Sequence, residues 1–329
     1  MNGLTNMKKS TFRTRAGFAG LIGLLLLAPL AASNAADTND LGSPAETAQL
    51  YSEDYARLVD AALPRFDGEV LGRRLAAVRA KYPGGHDPLR LRKISDIEAL
   101  LGLPHGETGG TDYVATKTET YGISAASARV HYARNLEGEK PMDFAEAERS
   151  QRELEARHLD LLGRAGIDAG QVLFAKTGIM SLRTQAAGMP DESATLAADS
   201  VFTYALRNID GLQVEGSEAR IASRGAGDIV SLSLRWPAVL LHPQLTSFKL
   251  KSTDELKREA LAEVARAANG AVVNVQMAVV LRPVKLDGRR VFVPSLKVGV
   301  LPREEAGAMF YVDLPQQQLA YDEGEIADR

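Results

Sequence analysis

The sequence predicts an α+β protein in which an N-terminal helical segment precedes two units, each a helix combined with an antiparallel sheet. Three observations carry this. Capped stretches with apolar residues at helical spacing occupy the chain from Ser43 to about Leu103. Alternating, strand-like runs dominate the remainder of the chain. Asp-Gly occurs twice between such runs, at Asp210-Gly211 and Asp287-Gly288, and this dipeptide tolerates the positive φ values of a two-residue hairpin turn. Each pair lies downstream of a capped helix, so helix, strand, Asp-Gly hairpin and short strand recur, an internal duplication of architecture with low side-chain identity.

Before these elements comes a different pattern. Lys8, Lys9, Arg13 and Arg15 precede an apolar run, Ala16 to Leu30, and Ser33-Asn34-Ala35 supplies small residues where a signal peptidase reads them. Residues 1–35 are therefore expected to be a Sec signal peptide cut between Ala35 and Ala36, which implies export to the periplasm or the exterior. The run is shorter than the ~20 residues of a bilayer span, so no transmembrane anchor is expected after processing. Processing removes four of 39 basic side chains and none of 42 acidic ones, leaving 35 against 42, a formal net charge of −7. Nucleic acid and anionic membranes both select basic surface, so neither is an expected partner. The chain has no cysteine, so an exported form must rely on a packed core instead of disulfides.

The helical segment, 36–108, reads as three helices. Ser43-Pro44-Ala45-Glu46 is a capping box with proline at the first helical position; Leu50, Tyr51, Tyr55, Leu58, Val59 and Ala62 follow at helical spacing, and Pro64 ends them. Val70, Leu71, Leu75 and Val78 form a second stripe that stops at Tyr82-Pro83-Gly84-Gly85. Ser95-Asp96-Ile97-Glu98 opens a third, short helix, and the glycine-rich Pro104 to Asp112 reads as a linker.

The first α+β unit is placed at 109–250. Ala126 to Pro141 reads as a strand running into a turn, and Asp143 caps a helix to about Ala165. QVLFAKTGIMSLRT and VFTYALRNIDGLQVEG are strands, the latter turning at Asp210-Gly211, and DIVSLSLRW alternates as a half-buried strand. In the second unit, 251–315, Ser252 to Glu255 caps a helix that Asn269-Gly270 ends; AVVNVQMAVVLRPV, VFVPSLKVGV and AMFYVDLP are strands. Residues 316–329 read as an acidic flexible tail. Pairing Leu286 with Arg289 puts Pro283 and Pro294 at non-hydrogen-bonded positions, so each strand is compatible with a sheet edge there.

Tyr204-x-x-Arg207, Asp210-Gly211-Leu212-x-Val214-x-Gly216-Ser217 and Asp228-Ile229-Val230-Ser231-Leu232 together resemble the thermolysin-type propeptide and PepSY superfamily. The resemblance covers about Val201 to Trp236, with a weaker echo from Ser252 to Pro315, and its motifs are of low specificity. It implies helices packed on an antiparallel sheet in PepSY/cystatin-like units, and a role as prosegment, inhibitor or envelope binding domain. No protease domain follows in this sequence, so the resemblance implies a stand-alone role.

Signatures of catalysis are sparse. There is no His-Glu-x-x-His, and none of the five histidines lies four residues from another, so no metal is expected. Lys176-Thr177-Gly178 matches one motif of penicillin-interacting enzymes, but the Ser-x-x-Lys and Ser-Asp-Asn elements do not precede it; a strand pair followed by a bulge glycine is the expectation. No phosphate-cradling glycine loop occurs, and no cofactor is expected. Trp236, Pro283 and Pro294 are candidate interface residues; for the tryptophan core packing is the leading reading and an aromatic anchor the alternative, and the prolines mark edges that either accept a partner strand or block one. The expected function is a non-enzymatic binding or inhibitory module of the cell envelope or exterior, with a protein as partner. The alternatives are a secreted hydrolase whose carboxylates converge only in the fold, or an envelope assembly factor docking through its N-terminal helices.

Overall fold

Helix α1 spans Pro44–Ala62 and α2 spans Gly68–Lys81, where the Asp67 carboxylate accepts from the amides of Glu69 and Val70. Helix α3, Ile94–Leu101, starts one residue earlier than its sequence signal, because Asp96 reaches back to the amides of Arg92 and Lys93. Strands β1 (Tyr113–Ala115), β2 (Glu119–Ser124) and β3 (Arg129–Arg134) follow. Strands β1 and β2 have no counterpart in the sequence reading: they are short, and Thr- and Lys-rich turns break their alternation. Next come α4 (Phe144–Arg164, capped by Asp143), β4 (Val172–Thr184), β5 (Thr195–Ile209), β6 (Leu212–Arg224) and β7 (Asp228–Arg235). The chain ends with α5 (Thr253–Ala267, in a Ser252/Glu255 capping box), β8 (Val272–Leu286), β9 (Arg289–Pro302) and β10 (Ala308–Asp313).

This computed structural model describes residues 44–322 apart from 66, 83–88, 105–111, 125–127, 185–194, 226, 246–248, 269–271 and 304–305, with side chains from Glu53 onward. The expected signal peptide with Ala35 and Ala36, the glycines of the linker, the Asn269-Gly270 cap and the last seven residues of the tail lie outside the described residues. Residues 48–329 form one compact unit. No helix among the described residues is long and apolar enough to cross a membrane.

The protein is α+β, with five helices among the described residues and one large, mostly antiparallel sheet. The two units expected from the sequence share this sheet. Its order is β1-β2-β3-β7-β6-β8-β9-β10, with β5 and then β4 branching from β6. Its parallel contact joins β6 to β8 at Gln213–Val280 and Val214–Leu281. Strand β6 keeps β5 on one side and changes partner on the other, from β8 to β7. Gly216 sits at the change with φ +67, left-handed backbone that a side chain disfavours. The two halves are unequal, since β4 has no equivalent ahead of the β8–β9 hairpin.

Two main cores lie against this sheet. In one, α1 (Tyr55, Val59), α2 (Leu71, Leu75) and α5 (Leu256, Val264) pack with Leu281, Leu296 and Val298, and with Ile209, Leu212 and Val214 of the first hairpin. In the other, α3 (Ile97) and α4 (Leu161, Leu162) pack with Tyr132, Ala205, Ile221, Leu232 and Trp236. The start of the expected flexible tail is anchored. Leu319 is buried beside Leu245, Val284 and Val291, and the Asp322 amide donates to the Lys285 carbonyl. The Asp322 carboxylate accepts from the amides of Asp287 and Gly288 at the hairpin tip.

Candidate binding face

The turns at Asp210-Gly211 and Asp287-Gly288 have φ of 50, 83, 51 and 71°, joining Ile209 to Leu212 and Leu286 to Arg289. They are scaffold, and they align the strands on either side. The three candidate interface residues are elsewhere than on open surface. Trp236 is fully buried, with its indole N–H donating to Gln171 and the Arg207 guanidinium 5.3 Å from its ring. It is a core residue and offers no surface to a partner. Pro294 is buried where β9 passes from β10 to the Leu241 bridge, and its carbonyl accepts from Leu314. Pro283 lies between the β6 contact at Leu281 and the tail contact at Lys285. Both prolines thus mark places where a strand changes neighbour, so a missing amide leaves no ladder bond unmade. Pro294, covered on both sides, marks no open edge.

Buried polar groups fasten the helices to the sheet. His158 of α4 is fully buried, with Nδ1 2.7 Å from the Thr203 hydroxyl and Nε2 2.7 Å from that of Ser223. Thr203 continues to Thr177 at 2.9 Å. Burial pulls the His158 pKa down to about 4. The Ser223–His158 contact has the spacing of a nucleophile and its base, but a threonine stands where a carboxylate would orient the ring. Both residues are sealed from solvent, so the network serves as a pin.

Among the described residues, surface clefts include two beside α5. One of about 710 Å³ lies between the N-termini of α2 and α5, where Asp67 and Ser252 cap their own helices. The other, about 300 Å³, lies between α5 and β10. Its carboxylates are engaged: Glu259 with Lys251, Glu263 with Arg266, and Asp313 with Arg282, Ser295 and Tyr321. Among the described residues no group of three or more His, Asp or Glu could hold a metal ion.

The remaining candidate is the side of the sheet turned away from α3 and α4. Strand register places alternate residues there in rows. One row runs Phe174, Leu206, Glu218, Arg235, Arg129, Ser124; the next runs Lys176, Tyr204, Arg220, Ser233, His131, Gly122. The third runs Gly178, Phe202, Ala222, Ser231, Ala133, Thr120. The intervening rows, such as Thr177, Thr203, Ile221, Leu232, Tyr132, Tyr121, face the helices. Lys176, Arg220 and His131 are exposed, and Tyr204, Arg235 and Arg129 are half-buried.

These rows bring the cations Lys176, Arg220, Arg235 and Arg129 onto one side of the sheet with the carboxylate Glu218. Glu218 accepts from the Tyr204 hydroxyl at 2.9 Å and lies 3.5 Å from Arg220, whose guanidinium sits 5.2 Å from the Tyr204 ring. Burial first, then the Glu218 charge, hold the Tyr204 hydroxyl above its ordinary pKa, so it is a neutral donor. Arg235 stands between Glu218 on one side and Arg129 on the other. Sequence reasoning missed this face because each strand contributes only one or two of its residues. The period-two spacing Glu218-x-Arg220 is visible, but the row exists only once register is known. Neither a scan against models of known families nor a search of curated proteins gives a match to this chain.

Proposed function

We propose that this chain is a non-enzymatic binding module, exported to the cell envelope or exterior, whose partner is a protein surface bearing carboxylates. The likeness of Val201 to Trp236 to propeptide and PepSY domains fits such a role, including an inhibitory one. The observation that carries the reading is the solvent-facing band of Lys176, Arg220, Arg235 and Arg129 around one carboxylate, on a chain that is acidic overall. Cations gathered on one face of a net-negative protein focus its field toward an acidic partner and repel the alternatives. Tyr204 and Phe202 beside them add amphipathic contact area at low entropic cost. The engaged carboxylates of the smaller cleft and the sealed Ser223–His158 pair favour binding over hydrolysis.

Fluorescence anisotropy with a labelled poly-glutamate peptide tests this, with poly-lysine as control. Binding to poly-glutamate is expected to weaken as salt rises, and Arg220→Glu is expected to weaken it about tenfold. Equal affinity of the variant and the unmodified protein would refute the assignment of this face.

A further inference from the structure

The sheet has a long edge at β4, which among the described residues pairs with β5 alone. Its edge is interrupted near each end. Leu173 is an extra residue between the Val172–Arg207 and Phe174–Leu206 pairs, and the register shifts again between Met180 and Ser181. Between these irregularities Phe174 to Met180 pairs without a break, and the midpoint of that stretch is Thr177. Phe174 and Met180, at its two ends, are both exposed apolar side chains on the same side of the sheet.

We propose that two copies of this chain pair through β4, antiparallel, about a two-fold axis at Thr177. An axis there sets Phe174 opposite Met180 of the second copy, twice over, and a thioether against an aromatic ring is a favourable contact. It also sets Lys176 opposite Gly178 of the second copy. The Phe202 ring lies over that glycine, since a Cβ built there would meet it at 3.2 Å. Each Lys176 then runs between its own Tyr204 and the other copy's Phe202, a placement that suits a cation. Other axes match poorly. Centring on Lys176 puts two lysines face to face, and centring on Gly178 stacks glycines and sets Lys176 against Met180. Edge strands are commonly guarded by charge, but in the Thr177 register the one charge of the stretch is accommodated. The joined sheet would carry two cation bands side by side.

A strand-edge contact is smaller than the ~1,600 Å² of a standard interface, so the dimer is expected at micromolar concentration. Sedimentation equilibrium of the purified protein up to about 200 µM measures it. Phe174→Lys/Met180→Lys sets lysine against lysine and is expected to raise the dimer dissociation constant about tenfold or more, with unchanged circular dichroism. Phe174→Glu/Met180→Lys sets opposite charges together at both contacts and is expected to restore dimerisation. A protein monomeric at the highest concentration overturns the proposal. So does a double-lysine variant that dimerises normally, or a Glu/Lys variant no better than it. The dimer shares Lys176 with the cation band, but Phe174 and Met180 are not members of the band: poly-glutamate binding retained by the monomeric variant separates the two.

Discussion

His158 makes stability depend on pH in a way that can be isolated. Its ring is fully buried and meets hydroxyls on both nitrogens, and its pKa is pulled from 6.5 down to about 4 by burial. The unfolded chain therefore takes up a proton at a higher pH than the native protein does. Stability from the neutral ring is complete above about pH 6.5 and is lost as pH falls toward about 4. The slope is about 1.4 kcal/mol per pH unit in that window, so about 2 kcal/mol is gone at pH 5 and about 3 kcal/mol below pH 4. Urea unfolding at about pH 7.5 and about pH 5 gives one difference for the unmodified protein and another for His158→Gln, which cannot titrate. Carboxylates and His131 contribute equally to both proteins and cancel. The double difference is expected near 2 kcal/mol. A value under about 0.5 kcal/mol would mean that α4 moves to let the imidazolium reach water, and the sealed network would be refuted.

Three further outcomes are expected from particular contacts. Gly216→Ala places a side chain at φ +67, beside the Arg235 guanidinium at an ordinary 3.6 Å; a loss of about 1–2 kcal/mol in urea unfolding is expected from the backbone alone. Leu319→Ala empties a buried site against Leu245, Val284 and Val291, and a loss of about 2–3 kcal/mol together with proteolysis near residue 320 is expected by mass spectrometry. Asp322→Ala removes the carboxylate from the amides of Asp287 and Gly288; faster hydrogen exchange at those two amides is expected, with about 1 kcal/mol lost at most.

Helices are the most legible part of the chain, because caps and 3.6-residue spacing are local. Asp143 and Ser252 begin α4 and α5 as their side-chain chemistry requires. Both Asp-Gly turns are readable for the same reason, since positive φ at two successive residues admits few dipeptides. Pairing over distance lies beyond such local rules. Nothing in Gln213 or Val280 announces that their strands touch. The spacing of Lys176-Thr177-Gly178 predicts a bulge at the glycine; Gly178 is instead regularly paired with Phe202, and the bulges sit at Leu173 and near Asp199. The glycine leaves room for a ring, which no spacing rule encodes. Trp236 and the prolines stay ambiguous through the same gap: amphipathic aromatics and ladder-breaking residues suit surfaces and interiors alike, and only the neighbours decide, as they do in burying Trp236.

The β5–β6 ribbon contributes Ile209, Leu212 and Val214 to one core and Ala205, Ala219 and Ile221 to the other. Cutting the chain near residue 250, where the order of elements suggests a border, would strip these first-core side chains, and those of α1 and α2, of the cover that α5, Leu281, Leu296 and Val298 provide. Heat or urea should accordingly melt the whole molecule in a single step, and neither fragment should persist without its complement.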